Sequence, residues 1–260
     1  MSFSPPAVLA FAASDPTSGA GLQADLLTIA ALRAYPLCAL TALTVQDTRG
    51  VHRLHALDAA LVAEQARAVL ADIPVAAFKL GVLGSAAAAH AVADVLAEHA
   101  QLPVVLDPVL ASARGDCLAG EDTLAVLRER LLPLTTVATP NSVEARRLAP
   151  GLSSLDACAR ALTDLGCRYV LVTGTHEATA DVVNTLYDAR GAVRFDRWPR
   201  LPGSYHGSGC TLASAIAAAL AHGASVAEAV RKAQEFTWRS LAAGFRPGRG
   251  QHVPNRLFPA

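Results

Sequence analysis

The chain has 260 residues, 52% of them apolar and 17% charged, and its 22 basic and 22 acidic side chains cancel to a formal net charge of zero. So apolar a composition excludes a disordered chain, and the balanced charge argues against a nucleic-acid partner bound through phosphate neutralisation. The longest apolar stretches, such as 213–221, are about half of the ~20 residues that a membrane-spanning helix needs, so no membrane partner is expected.

Short apolar runs alternate with longer amphipathic, alanine-rich segments along the whole chain. That pattern predicts a parallel sheet covered by helices. The first strand is expected over 8–13; it has no basic run before it and ends in Ser14-Asp15-Pro16 rather than in a small-residue cleavage site, so it is not read as an export signal. A helix is predicted over 21–33, a strand over 37–45 and a helix over 59–72. Then come a strand at 76–83, a helix at 85–99, a strand at 104–109 and a helix at 121–132. A strand at 136–139 and helices at 142–148 and 155–165 follow, with a strand at 169–174. The runs 182–187 and 193–198 are separated by five residues, too few for a crossover helix, so they are expected to form an antiparallel hairpin at one edge. Helices at 209–222 and 225–243 complete the chain. With no linker and no repeat period, residues 1–260 are read as a single domain.

Five cysteines stand at 38, 117, 158, 167 and 210, with no C-x-x-C pair and no histidine spacing that suggests zinc. An odd, scattered set fits a reducing, cytoplasmic setting. Cys38, Cys117, Cys158 and Cys167 are read as small buried hydrophobes.

In an open α/β sheet, ligands bind beyond the carboxyl ends of the strands, so chemistry is sought in the loops there. The segment His206-Gly207-Ser208-Gly209-Cys210-Thr211 runs straight into a helix. Its glycines allow close backbone approach, and the first helical N–H groups are left free for an anion. A thiol at Cys210 is expected to have a lowered pKa for the same reason. The loop 14–21 is also glycine-rich, but it lacks both the dinucleotide fingerprint and the Walker-type phosphate loop. Asp25, read as lying on the first turn of the next helix, is either a partner of the helix dipole or a carboxylate for ligand donors. Asp107 at one strand end, with Asn141 and Glu144 after another, can surround a hydrated Mg²⁺, although Asn141 and Glu144 also match a helix capping box.

Six segments in register carry a resemblance. They are Ser-Asp-Pro-x-x-Gly-Ala-Gly-x-Gln-Ala-Asp (14–25), Thr-Ala-Leu-Thr-Val-Gln-Asp-Thr-Arg-Gly-Val (41–51), Lys-Leu-Gly-Val-Leu (79–83), Asp-Pro-Val-Leu (107–110), Thr-Pro-Asn-x-x-Glu-Ala (139–145) and His-Gly-Ser-Gly-Cys-Thr-Leu (206–212). The chain resembles, over nearly its whole length, the hydroxymethylpyrimidine and phosphomethylpyrimidine kinases of thiamin biosynthesis, within the ribokinase-like superfamily. The resemblance implies a three-layer α/β/α fold, with a mostly parallel central sheet and an antiparallel edge hairpin. It implies ATP and Mg²⁺ as cofactors, a small-molecule substrate and a homodimer.

By the same resemblance Gly207, Ser208, Gly209 and Cys210 surround the transferred phosphoryl group, and Cys210 stands where most of the superfamily has a catalytic aspartate, so it is expected to help deprotonate or orient the attacking hydroxyl, preferably as a thiolate. Gln46, Asp25, Gly19, Ala20, Thr44 and Val82 would contact the pyrimidine, Thr173, Gly174, Thr211 and Asn141 the ATP, and Glu144 and Asp107 the metal. The chain departs from the family pattern at Ala13, Thr44, Asp47, Val82 and the segment 173–176, mostly near the expected substrate pocket. Two other readings keep the scaffold: a pyridoxine or pyridoxal kinase, and a catalytically weak pyrimidine-binding sensor.

Overall fold

The computed structural model describes residues 4–111, 115 and 118–257, so Cys117 lies outside the described residues. In chain order the elements are β1 (Ala7–Ser14), α1 (Gly21–Ala31), β2 (Tyr35–Asp47), β3 (Gly50–Ala56), α2 (Ala59–Asp72) and β4 (Val75–Leu80). They continue with α3 (Ala86–Ala97), β5 (Val104–Leu106), α4 (Glu121–Val126), β6 (Val137–Ala138), α5 (Ser142–Leu148) and α6 (Leu155–Asp164). The last are β7 (Tyr169–Val172), β8 (Asp181–Asp188), β9 (Gly191–Pro199), α7 (Ser208–Ala221) and α8 (Val226–Ala242).

The nine strands form one sheet in the order β3-β2-β1-β4-β5-β6-β7-β8-β9. From β2 to β7 all pairings are parallel. β3, β8 and β9 are antiparallel to their neighbours, so both edges are antiparallel rather than one. The hairpin partner β3 was not expected from the sequence. Its residues Val51, His52, Arg53, Leu54 and His55 carry no clean apolar alternation, and pairing with β2 is what makes the segment a strand.

Residues of β1 alternate between two cores because a strand presents successive side chains to opposite faces. Leu9 and Phe11 join the core beneath α2–α6, where Phe11 meets Phe78 with ring centroids 6.2 Å apart. Val8, Ala10 and Ala12 join the core beneath α1, α7 and α8. The sheet is therefore covered on both faces, as three-layer packing requires. α7 is buried through its middle, and its run of alanines offers small contacts to the strands below.

Several strands end earlier than expected. β5 stops at Leu106, just before Asp107-Pro108, where proline lacks the N–H needed for a ladder. The helix expected over 121–132 is α-helical only to Val126, and Leu127–Leu131 continue as a wider π turn before a 3₁₀ turn at Leu132–Leu134. Apolar spacing alone does not reveal the width of a turn. Cys158 and Cys167 are buried as expected, whereas Cys38 is exposed on β2, on the face opposite the buried Leu37 and Ala39.

Candidate active site

The carboxyl ends of β1, β4, β5, β6 and β7 lie along one edge of the sheet, and the start of α7 packs against β4 and β5 there. Gly207 caps α7 with φ of +84°, and a side chain on it would begin 1.9 Å from the carbonyl oxygen of Gly19. Only glycine satisfies both demands. The first intrahelical bond of α7 runs from Thr211 N to Gly207 O at 3.0 Å, so the N–H groups of Ser208, Gly209 and Cys210 have no partner within the helix.

Asp107 faces this helix start: a side chain on Gly209 would begin 3.4 Å from both of its carboxylate oxygens. Asp107 is buried and its Oδ2 has no hydrogen-bond partner. Burial raises its pKa to about 6, with Asp25 adding to the shift while Lys79 and a hydrogen bond from the Cys210 thiol oppose it. Nearby, Asn141 and Glu144 form a capping box at the start of α5, with Asn141 Oδ1 accepting from the N–H groups of Val143 and Glu144 at 2.9 Å each. Glu144 Oε2 in turn accepts from Asn141 N at 2.9 Å. Burial, then the charge of Asp107, push the Glu144 carboxyl up to about 8.

Two buried carboxyls with raised pKa values, one of them with an orphaned oxygen, are what a hard divalent cation relieves. Among the described residues no group of three or more His, Cys, Asp or Glu is arranged to hold a metal. A cation here would therefore take two protein oxygens and fill its shell with water or phosphate oxygens, a pattern that suits Mg²⁺.

Beneath these groups lies Lys79 on β4, fully buried, with Nζ 2.8 Å from both oxygens of Asp25. Ser214 on α7 donates to Asp25 Oδ1 at 2.8 Å. Burial pulls the Lys79 pKa down, but Asp25, Cys210 and Asp107 outweigh it and hold the ammonium above its ordinary range. Asp25 is thus the counter-charge of a buried ammonium. It sits in the second turn of α1, away from the dipole position expected for it, and its side chain is 0% exposed with both oxygens engaged. The helix-dipole role is corrected by this second-turn position, and the carboxylate is committed to Lys79 and Ser214.

Cys210 also behaves differently from expectation. Burial pushes its thiol up to about 12; Lys79 and an N–H from Gly21 oppose this, but Asp107 and Asp25 reinforce it. Desolvation and two acidic neighbours therefore disfavour the thiolate that was expected at this helix start. Thr211 is likewise corrected. Its side chain is fully buried and donates to Gly207 O at 2.8 Å, with no surface for a nucleotide.

The remaining expected residues lie along the same edge. Gly19 and Ala20 belong to the loop after β1, and that loop touches the Gly207 turn. Gln46 Nε2 donates to Thr44 Oγ1 at 2.7 Å, and Thr44 Oγ1 donates to Ser14 O at 2.7 Å, which ties the end of β2 to the end of β1. Val82 follows β4, and its carbonyl accepts from Thr41 Oγ1 at 2.6 Å. Thr173 pairs with Asn141 across an isolated bridge, which places these two residues side by side beyond β6 and β7. Gly174 N donates to Asn184 Oδ1 at 3.1 Å.

Four contributors went unassigned in the sequence: Lys79, Ser214, Arg256 and the pair His206–Asp15. His206 Nε2 lies 2.9 Å from Asp15 Oδ2, and although burial raises the Asp15 pKa, His206 and the N–H groups of Thr17 and Ala20 hold it lower than usual. Lys79 had a legible signal, a lysine inside the apolar strand run Ala77-Phe78-Lys79-Leu80. Asp15 and His206 lay within the two glycine-rich segments, and Ser214 and Arg256 carried no signal.

An open helix start facing paired carboxylates, at the carboxyl edge of a doubly covered sheet, is the equipment of a phosphotransferase. The chain belongs to the phosphomethylpyrimidine kinase family, whose model matches residues 15–255. It is 44% identical over 264 residues to the hydroxymethylpyrimidine/phosphomethylpyrimidine kinase of Mycobacterium tuberculosis, covering 98% of this chain and 94% of that protein. It is 41% identical to the thiamine biosynthesis bifunctional protein ThiED of Geobacter sulfurreducens, matching 97% of this chain but only 52% of that longer protein. The fold is ribokinase-like: an ADP complex of Bacillus subtilis pyridoxal kinase superposes with a TM-score of 0.89 at 31% identity, covering 97% of this chain and 98% of that one. No helix among the described residues is long and apolar enough to cross a membrane.

Two outcomes follow from this geometry. Asp25→Asn leaves the Lys79 ammonium buried without its counter-charge and is expected to destabilise the fold by about 3–5 kcal/mol, read from urea unfolding. Brief iodoacetamide treatment at neutral pH, followed by peptide mapping, should label exposed Cys38 ahead of Cys210, and Cys210 labelling should accelerate as pH rises toward its pKa of about 12.

Proposed function

We propose that the chain is an ATP- and Mg²⁺-dependent kinase that phosphorylates 4-amino-5-hydroxymethyl-2-methylpyrimidine and then converts the monophosphate to the pyrophosphate, within thiamin synthesis. The observation that carries the reading is the open start of α7 set against Asp107 and Glu144: donors for a phosphoryl group on one side, oxygens for a cation on the other. Phosphoryl transfer depends mainly on positioning and charge neutralisation, so these parts suffice in kind. The N–H groups of Ser208, Gly209 and Cys210 receive the equatorial oxygens of the group in transit. A divalent cation held by Asp107 and Glu144, when bound, supplies charge neutralisation on the phosphate oxygens.

Cys210 is then not a strong base. As a neutral thiol that donates to Asp107, it orients the attacking hydroxyl. In a loose transition state the hydroxyl proton leaves late, so the step asks for orientation of the hydroxyl more than for a strong base. Gln46 supports the pyrimidine assignment: its Nε2 is committed to Thr44, which leaves Oε1 to accept from an amino group. Gly19, Ala20 and Val82 complete the pyrimidine side, and Thr173, Gly174 and Asn141 the nucleotide side.

The single continuous sheet supports reading residues 1–260 as one domain. Leu43 and Val45, about half exposed on β2, supply apolar surface for a homodimer. Among the described residues the four cysteines are unpaired, which accords with a reducing, cytoplasmic setting.

A second reading, a pyridoxine or pyridoxal kinase, is favoured by the close superposition on pyridoxal kinase. Measuring ADP release with Mg²⁺ and the aminopyrimidine, its monophosphate or pyridoxine separates the two. Turnover of the aminopyrimidine is expected, no turnover of any substrate rejects a kinase, and a strong preference for pyridoxine makes the second reading correct. Glu144→Gln should lower turnover, with partial recovery at high Mg²⁺ and an unchanged melting temperature, because a glutamine oxygen can still accept from Asn141 N. Equal losses of stability and activity would reduce Glu144 to a helix cap.

A further inference from the structure

We propose that Arg256 is a positioning residue that clamps the anion-accepting start of α7 and the loop after β1 into one rigid unit. Arg256 lies one residue beyond the segment that the family model matches, and 45 residues beyond Thr211 in the chain. Its side chain nonetheless reaches back between the two loops, and the residue is only 4% exposed.

Each arm of the guanidinium is spoken for. Nε donates to Thr211 Oγ1 at 2.9 Å, Nη1 to Ser18 O at 3.3 Å, and Nη2 to Gly19 O at 2.6 Å and Gly207 O at 3.4 Å. Thr211 Oγ1 passes the connection on by donating to Gly207 O. Three of these acceptors are carbonyls of the residues whose turns form the site, and among the described residues no carboxylate lies within ion-pair distance of Arg256. A planar fork with several fixed donors meets such divergent acceptors in a way that a single ammonium cannot.

The position also has an electrostatic consequence. The guanidinium is desolvated beside the Gly207 turn, with Asp25 and Asp15 near enough to favour its charge, and that charge adds to the field of the helix start where phosphoryl charge develops. A second tie, His206 to Asp15, links the same two loops on their outer side. The segment bearing Arg256 is itself held by bridges of His252 to Tyr205 and of Val253 to Phe245, and by Asn255 N donating to Ser240 O at 2.9 Å. The clamp is therefore anchored to α8 as well as to the loops it joins.

This inference rests on the reading that the α7 start holds the transferred phosphoryl group. Arg256→Ala should lower kcat by about 10²-fold, the scale of a misplaced anion site, with KM for ATP little changed, because the lost positioning acts mainly on the transition state. Millimolar guanidinium chloride should restore part of the turnover of Arg256→Ala and none of that of the wild type. Arg256→Lys, which keeps the charge but not the fork, should fall between them. Hydrogen exchange of the bonded amides of Gly19 and Ala20 in one loop and of Thr211 in the other should quicken together in both variants, about tenfold in Arg256→Ala.

The exchange measurement reads the clamp whether or not the chain is a kinase, so failure of the wild type to release ADP rejects the function alone. Near-wild-type kcat in Arg256→Ala overturns the proposal, as does exchange that quickens in only one loop. If Arg256→Ala does not fold, Arg256→Lys decides: unchanged exchange and unchanged kcat in that variant overturn the clamp.

Discussion

The site depends on one buried ammonium. Lys79 projects from β4 into the layer beneath α1 and α7 and is held there by Asp25, to which Ser214 also donates. Three elements that are far apart in sequence are thereby fixed to one another at charge-assisted hydrogen-bond distance. An isolated buried charge would be strongly unfavourable, so the pair must form whenever these elements pack, and it forms only in one arrangement. That arrangement sets α7 with its first turn above the end of β5.

The same lysine leaves a deliberate imbalance. One ammonium stands near Asp25 and Asp107, and Glu144 lies beyond Asp107. With Asp25 already engaged, Asp107 and Glu144 remain under-compensated: burial and the charge of Asp25 lift Asp107 to about 6, and burial and the charge of Asp107 lift Glu144 to about 8. Excess negative charge on this side faces a helix start and the Arg256 guanidinium on the other. A site polarised in this way suits a ligand made of phosphate and a divalent cation, each of which meets the charge it lacks. Cys210 sits on the boundary between the two halves, and its neutrality follows from that location: a thiolate there would add a further negative charge to a buried, already acidic cluster.

Much of the architecture was legible in the sequence because it rests on local periodicity. Alternating apolar runs and alanine-rich helices disclosed the layered sheet, the five-residue gap disclosed the β8–β9 hairpin, and glycines before a helix disclosed the anion-accepting turn. Asn141 and Glu144 were legible as a capping box from their spacing, and they form one. β3 was not legible, because its strand character comes from pairing with β2 rather than from its own pattern. The π turn after α4 was not legible either, because turn width is set by packing.

Local sequence therefore carried the set of segments and the chemistry open to each: a phosphate-accepting turn, acidic groups at a strand end and in the helix beyond another, and an amide for a ring substituent. Only the tertiary structure decided the charge state and accessibility of those groups. Asp25 looked available until Lys79 arrived from 54 residues away, Cys210 looked acidic until Asp107 and burial were set beside it, and Arg256 had no visible role until it met Gly19 and Gly207. The physical reason is that motif chemistry and helix-end polarity are local properties of the chain, whereas desolvation and Coulomb energy depend on neighbours in space, which folding alone supplies.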